Sequence, residues 1–309
     1  MEEPRHLCGH LPGGGIAADV CLQGGGGQRH SAVQIAAAAG SLLSGALGDV
    51  KQRRRAGAIT GAAAGLAAAF NTPLAAVTFV LEEIIGDLNS RLMGRVLLAA
   101  VVGALMTHGL IGAEPAFTLT KIGSSHWMAF LLVIPVAAAA SLVGLLFQTG
   151  ALGLRKSCKN WTGVPLWLRP AIGACVVWGI GVTVFYHTGH LGVFGLGYED
   201  MTEGLAGRLT WQIALLLLAA KVTATISAYG TGGAGGIFSP TLFFGAKTGL
   251  ALGAGLQPRL QYSNEEVVLL AVVGMTATLG AVVHAPVTSI LIVFEMTHEF
   301  AVVPPVMLG

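Results

Sequence analysis

The 309-residue sequence is short of charge. Asp, Glu, Lys and Arg make up 10% of it, against roughly 25% in an ordinary water-soluble domain, so the chain lacks the polar surface to cover itself in water. Its 17 Lys and Arg nearly balance 15 Asp and Glu, for a net charge of +2. The basic residues are scattered or sit in short runs such as Lys51 to Arg55, which excludes the electrostatic footprint of a nucleic-acid binder. Cysteine is equally sparse. Cys8, Cys21, Cys158 and Cys175 form no C-x-x-C pair, so neither a zinc site nor a disulfide framework is expected, only isolated thiols in apolar surroundings. Glu2, Glu3, Arg5 and Asp19 interrupt the first thirty residues, and no secretory signal is read there. H-E-x-x-H and G-x-S-x-G are both missing, so the chain is not expected to be an enzyme and no cofactor is implied.

What the sequence does have is apolar residues, 54% of the total, and 45 glycines, with a mean hydropathy of +0.73. Apolar segments run from Ala32 to Leu47, Ala56 to Ile85, Val96 to Ile111, Trp127 to Leu154, Ala171 to Tyr186, Ile213 to Ile226, Ile237 to Leu256 and Val267 to Phe294. A simple spanning helix needs about 20 apolar residues. Several segments are shorter, and two longer ones are broken at Asn71-Thr72-Pro73 and His284-Ala285-Pro286. Some helices are therefore expected to stop inside the bilayer, where irregular backbone is tolerated only against protein or a polar cavity. The reading is an all-α, multi-pass integral membrane protein in contact with lipid.

An internal repeat organises these segments. Gly61 to Glu82 lies over Gly274 to Glu295 at a constant offset of 213 positions, pairing Leu66 with Leu279, Pro73 with Pro286 and Glu82 with Glu295. Each copy is a small-residue helix, a polar-x-Pro break and a second apolar helix ending in glutamate. Repeated, broken helix pairs point to a transporter-like fold with its site between the repeats. Gly61 and Gly65 form a G-x-x-x-G pair, read as close helix packing.

Chemistry is concentrated in Thr231-Gly-Gly-Ala-Gly-Gly-Ile-Phe-Ser-Pro240, a glycine-rich loop opening onto an apolar helix that starts near Pro240. Glycines allow close approach, proline suits the first turn, and the amides of that turn carry about half a positive charge. The product is a cradle for a small anion. No lysine stands in a G-K-[ST] arrangement, which disfavours a phosphate loop. Lys247, further along the same helix, is expected to snorkel to a wet end. Glu295, His298 and Glu299 look loosely like metal ligands but are read as a solvated helix end, and no metal is expected.

Three blocks carry a family resemblance. GAAAGLAAAFNTPLAAVTFVLEEI from Gly61, KVTATISAYGTGGAGGIFSPT from Lys221 and GMTATLGAVVHAPVTSILIVFEMTH from Gly274 closely resemble the CLC family of chloride channels and chloride/proton antiporters, in the family's order and spacing. The resemblance implies an antiparallel inverted repeat of tilted, partly discontinuous helices in a cell membrane. It also implies a homodimer in which each subunit has its own chloride pathway. By the family pattern Gly236, Ile237, Phe238, Ser239 and Pro240 form the chloride-binding helix start, with the backbone amides of Ile237 and Phe238 as donors. Glu83 matches the inner glutamate that relays protons in antiporters; a wetted helix end explains a carboxylate there equally well. Segments Pro73 to Ile111 and Met275 to Glu299 would contain the dimer-interface helices.

The sequence also departs from the family. Val33-Gln34-Ile35 anchors the second filter loop, and counting back places Arg29 where the gating glutamate belongs. An arginine can neither mimic an anion nor carry that carboxylate's proton, so chloride movement uncoupled from protons is expected. Residues 1–30 read as an irregular, glycine-rich segment unlike the family, and residues 31–309 as a CLC-type anion transport domain incomplete at both ends. The alternative is a non-conducting member that folds and dimerises only.

Overall fold

The computed structural model describes residues 28–46, 51–87, 91–110, 112, 117, 127–161, 165, 168–233, 236–260 and 262–309, excepting the side chains of 28–32 and 127–129. Among them every regular element is helical. The chain forms two compact units, residues 1–113 and 114–309.

The first unit is built on small residues. Helices α1 (Gln28–Ala46) and α2 (Lys51–Phe70) cross so closely that a methyl group on Gly40 would lie 2.2 Å from the Gly57 carbonyl oxygen, and one on Gly61 2.2 Å from that of Ala36. Lipid supplies no hydrophobic drive between helices, so such close backbone contact is what holds them. The packing role expected of Gly61 is what the structure shows. Helix α3 (Pro73–Phe79) follows the break, then a π-helical turn (Val80–Ile85). Helix α4 (Met93–Leu110) closes on α2 at Gly103 and donates from Thr107 Oγ1 to the Ala68 carbonyl over 3.1 Å.

In the second unit, α5 (Trp127–Lys159), α6 (Arg169–Thr188) and α8 (Trp211–Gly230) are long and apolar enough to cross a bilayer, as are α4 and α10 (Asn264–Val283). The short helix α7 (Tyr198–Leu205) lies between α6 and α8 in the chain. Helix α10 is the core: every residue from Glu266 to Leu279 is buried. It packs on α5, where Thr278 donates to the Ala140 carbonyl, and on α9 (Phe238–Leu260) through an all-glycine crossing of Gly245 with Gly274. A Ser263–Glu266 capping box starts it, satisfying two of the amides a helix start leaves over. Helix α11 (Pro286–Thr297), a 3₁₀ turn (Phe300–Val302) and α12 (Val303–Leu308) complete the chain.

The repeat is written into the backbone. Asn71 and His284 both take the left-handed conformation, at φ of 57° and 60°. The next residues, Thr72 and Ala285, match at φ/ψ of −128°/77° and −122°/81°, and a proline then opens each second helix. The copies part at their ends. Gly86 closes the first in the left-handed region and His298 closes the second, an offset of 212 instead of 213. The π-helical turn absorbs the one extra residue.

Candidate anion site

The segment expected to form the cradle lies between α8 and α9. Helix α8 ends with Thr231 and Gly233 amides donating to the Ser227 and Ala228 carbonyls, and Gly232 takes the left-handed conformation at φ of 88°. The amide of Thr241 donates to the Ile237 carbonyl over 3.1 Å. Ile237 is thus the residue before the helix, and α9 begins at Phe238, two residues ahead of Pro240. The first amides of a helix have no acceptor within it, and Pro240 contributes none, so the amides of this helix start are those of Ile237, Phe238 and Ser239. Gly236, Phe238 and Ser239 are buried, Ile237 and Pro240 half-buried. The positive end of a 23-residue helix is thus shielded from much of the solvent, an environment suited to an anion.

The start of α9 is tied down by its neighbours. Ser239 Oγ donates to the Leu196 carbonyl over 3.1 Å, and the Thr241 hydroxyl to Ile237 and Phe238 carbonyls. The segment 193–200 that receives Ser239 is held by two buried lysines. Lys221 Nζ donates to the Val193 and Gly195 carbonyls at 3.0 and 2.8 Å, and Lys247 Nζ to that of Asp200 at 2.7 Å. Both ammonium groups also lie over the Phe243 ring, 5.5 and 5.1 Å from its centroid, where the ring's negative face offsets their charge.

Lys247 corrects the expectation of snorkelling. Its relative exposure is 0%, because the Asp200 carbonyl near the start of α7 and the Phe243 ring lie within reach and give the ammonium a reason to stay inside. Glu295 is likewise buried, not solvated, while His298 is exposed, and among the described residues the two do not converge with Glu299 on a common point. Glu83 is exposed and Glu82 half-buried, both within the π-helical turn. Counted from the proline break Glu82 matches Glu295, but counted back from the left-handed cap Glu83 does. Arg29 falls in the first turn of α1; its side chain lies outside the described residues. Cys158 is buried and Cys175 exposed, both as free thiols, whereas Cys8 and Cys21 fall outside those residues. Lys221 was missed in the sequence because its partners are backbone carbonyls of a distant loop.

The sequence profile of the voltage gated chloride channel family matches residues 16–309. The chain belongs to this family. It is 33% identical over 300 residues to a chloride channel protein described as ClcB-like from Ralstonia nicotianae, covering 95% of this chain and 68% of the relative. It is 31% identical over 251 residues to the voltage-gated ClC-type chloride channel ClcB of Salmonella dublin, covering 81% of this chain and 58% of the relative. The H(+)/Cl(-) exchange transporter ClcA of Vibrio campbellii is 29% identical over 259 residues, covering 81% of this chain and 53% of that one. The CLC fold is shared with a slow cyanobacterial Cl-/H+ antiporter at a TM-score of 0.75 and 22% identity, over 93% of this chain and 67% of that one. A CLC-type fluoride/proton antiporter gives 0.74 and 24%, over 92% and 68%. This is therefore a CLC membrane protein whose relatives include both channels and proton exchangers.

Proposed function

We propose that this CLC protein moves chloride across a cell membrane through the helix start at Gly236 to Pro240, uncoupled from protons, and that it does so as a homodimer. The observation that carries the reading is the buried opening of α9, where Ile237, Phe238 and Ser239 precede or form the first turn and Ser239 is pinned to Leu196. Backbone amides suit passage: they attract a halide through partial charges, without the slow release of a full cation. Arg29 at the gating position supports uncoupling, since a guanidinium holds its proton and accepts none. Glu83, exposed in the π-helical turn, is then a carboxylate at a wet helix end that retains the family position without its partner at the gate.

The test is chloride efflux from liposomes holding the purified chain, with chloride and pH electrodes in one chamber and Gly236→Pro alongside. Efflux without proton movement is expected, with chloride binding lost in Gly236→Pro, because the added ring crowds the cradle. Unchanged chloride affinity in that variant overturns the cradle, and stoichiometric proton uptake overturns uncoupling. Absence of efflux from folded dimers overturns transport and leaves a non-conducting member that folds and dimerises only.

A further inference from the structure

His190, Asp200 and Glu203 bring one imidazole and two carboxylates together after the end of span α6. Each offers a ligand atom, and these atoms lie within 4.8 Å of one another; among the described residues no other group of three does so. His190 Nδ1 is 3.0 Å from Asp200 Oδ1 and 3.5 Å from Glu203 Oε2. Hydrogen bonding alone leaves this cluster incomplete, because a single Nδ1 proton cannot serve two carboxylates. Asp200 Oδ2 is buried without a hydrogen-bond partner, in a side chain that is 7% exposed. Leaving such an atom unpaired is costly, and a cation taken by both oxygens of the Asp200 carboxylate removes that cost.

We propose that His190, Asp200 and Glu203 form a binding site for a divalent first-row transition metal of the zinc type. Ligands about 2.0–2.2 Å from a tetrahedral ion stand roughly 3.3–3.6 Å apart, close to the two distances already present. Imidazole with carboxylates is a donor set that such ions accept, and the two carboxylates cancel the ion's charge. Both Asp200 oxygens, His190 Nδ1 and one Glu203 oxygen then supply the four ligand atoms, and Glu203, 47% exposed, leaves the entry path open to water. The nearby cations do not occupy the site: Lys221 and Lys247 are committed to the Val193, Gly195 and Asp200 carbonyls and to the Phe243 face. They also hold the loop in place, so the ligands are positioned before the ion arrives. The site departs from the expectation of no metal, which weighed Glu295, His298 and Glu299 instead, and it stands independently of the transport reading.

The experiment is a Zn²⁺ titration by calorimetry of the full chain in detergent after chelator treatment, repeated with Co²⁺ to read visible absorption. One ion per chain is expected, with the intense bands of four-coordinate cobalt. Glu203→Gln and His190→Gln should each weaken binding at least tenfold, and His298→Gln should leave it unchanged. Glu203 is too exposed for its substitution to threaten folding, and melting curves without metal verify this for all three variants. Saturable binding that ignores both ligand substitutions, or no saturable binding, overturns the site.

Discussion

The crossing of α9 and α10 gives the sharpest test of how this protein is held together. A methyl group on Gly245 would sit 2.1 Å from the Gly274 carbonyl oxygen, 2.4 Å from its carbon and 2.6 Å from Met275 Cα, where ordinary contact begins at 3.4 Å. All three atoms are backbone, so no side chain can swing aside, and Gly245→Ala must part the helices by about 1 Å. Overpacking of this kind costs about 1–3 kcal/mol, and the rigid opposing surface puts the cost at the upper end. Gly255 on the same helix is the control, since nothing lies within 4 Å of its added methyl. Both substitutions gain the same helix propensity, about 1 kcal/mol over glycine, so their difference isolates the crossing. At about 2–4 °C per kcal/mol, Gly245→Ala should melt roughly 5–10 °C below Gly255→Ala in detergent. Equal melting temperatures would refute the reasoning.

Lys247→Met keeps the apolar stem but removes the charged hydrogen bond to the Asp200 carbonyl. It should cost about 1.5–3 kcal/mol, read as a lower melting temperature, with faster hydrogen exchange across residues 193–205. Tyr262, outside the spans, donates to the Gly253 carbonyl, and burial together with Glu266 pushes its phenol up to about 12 from 10.0. A raised acid favours the protonated folded state. Its contribution is complete below pH 10 and is lost as pH climbs toward 12, so Tyr262→Phe should flatten that part of the stability curve. Parallel curves for the two proteins would count against it.

Much of the architecture is legible because membrane burial writes in composition. The polar-x-Pro breaks were readable, since proline cannot continue a helix, and both open a helix in the structure. The glycine-rich approach to α9 was readable for the same kind of local reason. The π-helical turn was not, because its extra residue is visible only by comparing where Gly86 and His298 close the two copies. Lys221 and Lys247 were beyond reach for a different reason: their partners are carbonyls 26 to 47 positions away, and a carbonyl has no letter in the sequence. His190, Asp200 and Glu203 likewise follow no motif spacing, being joined by a turn at Gly189, Gly195 and Gly197.

The two buried lysines also impose an order on biosynthesis. Val193, Gly195 and Asp200 leave the ribosome first, whereas Lys221 and Lys247, which satisfy their carbonyls, arrive with the two following helices. The segment between α6 and α8 must wait, unsealed, until both helices have been made and packed, so the stretch that receives Ser239 is finished late. Nascent chains halted before Lys247 should therefore be cut by protease within residues 190–205, and chains released after Leu260 should resist.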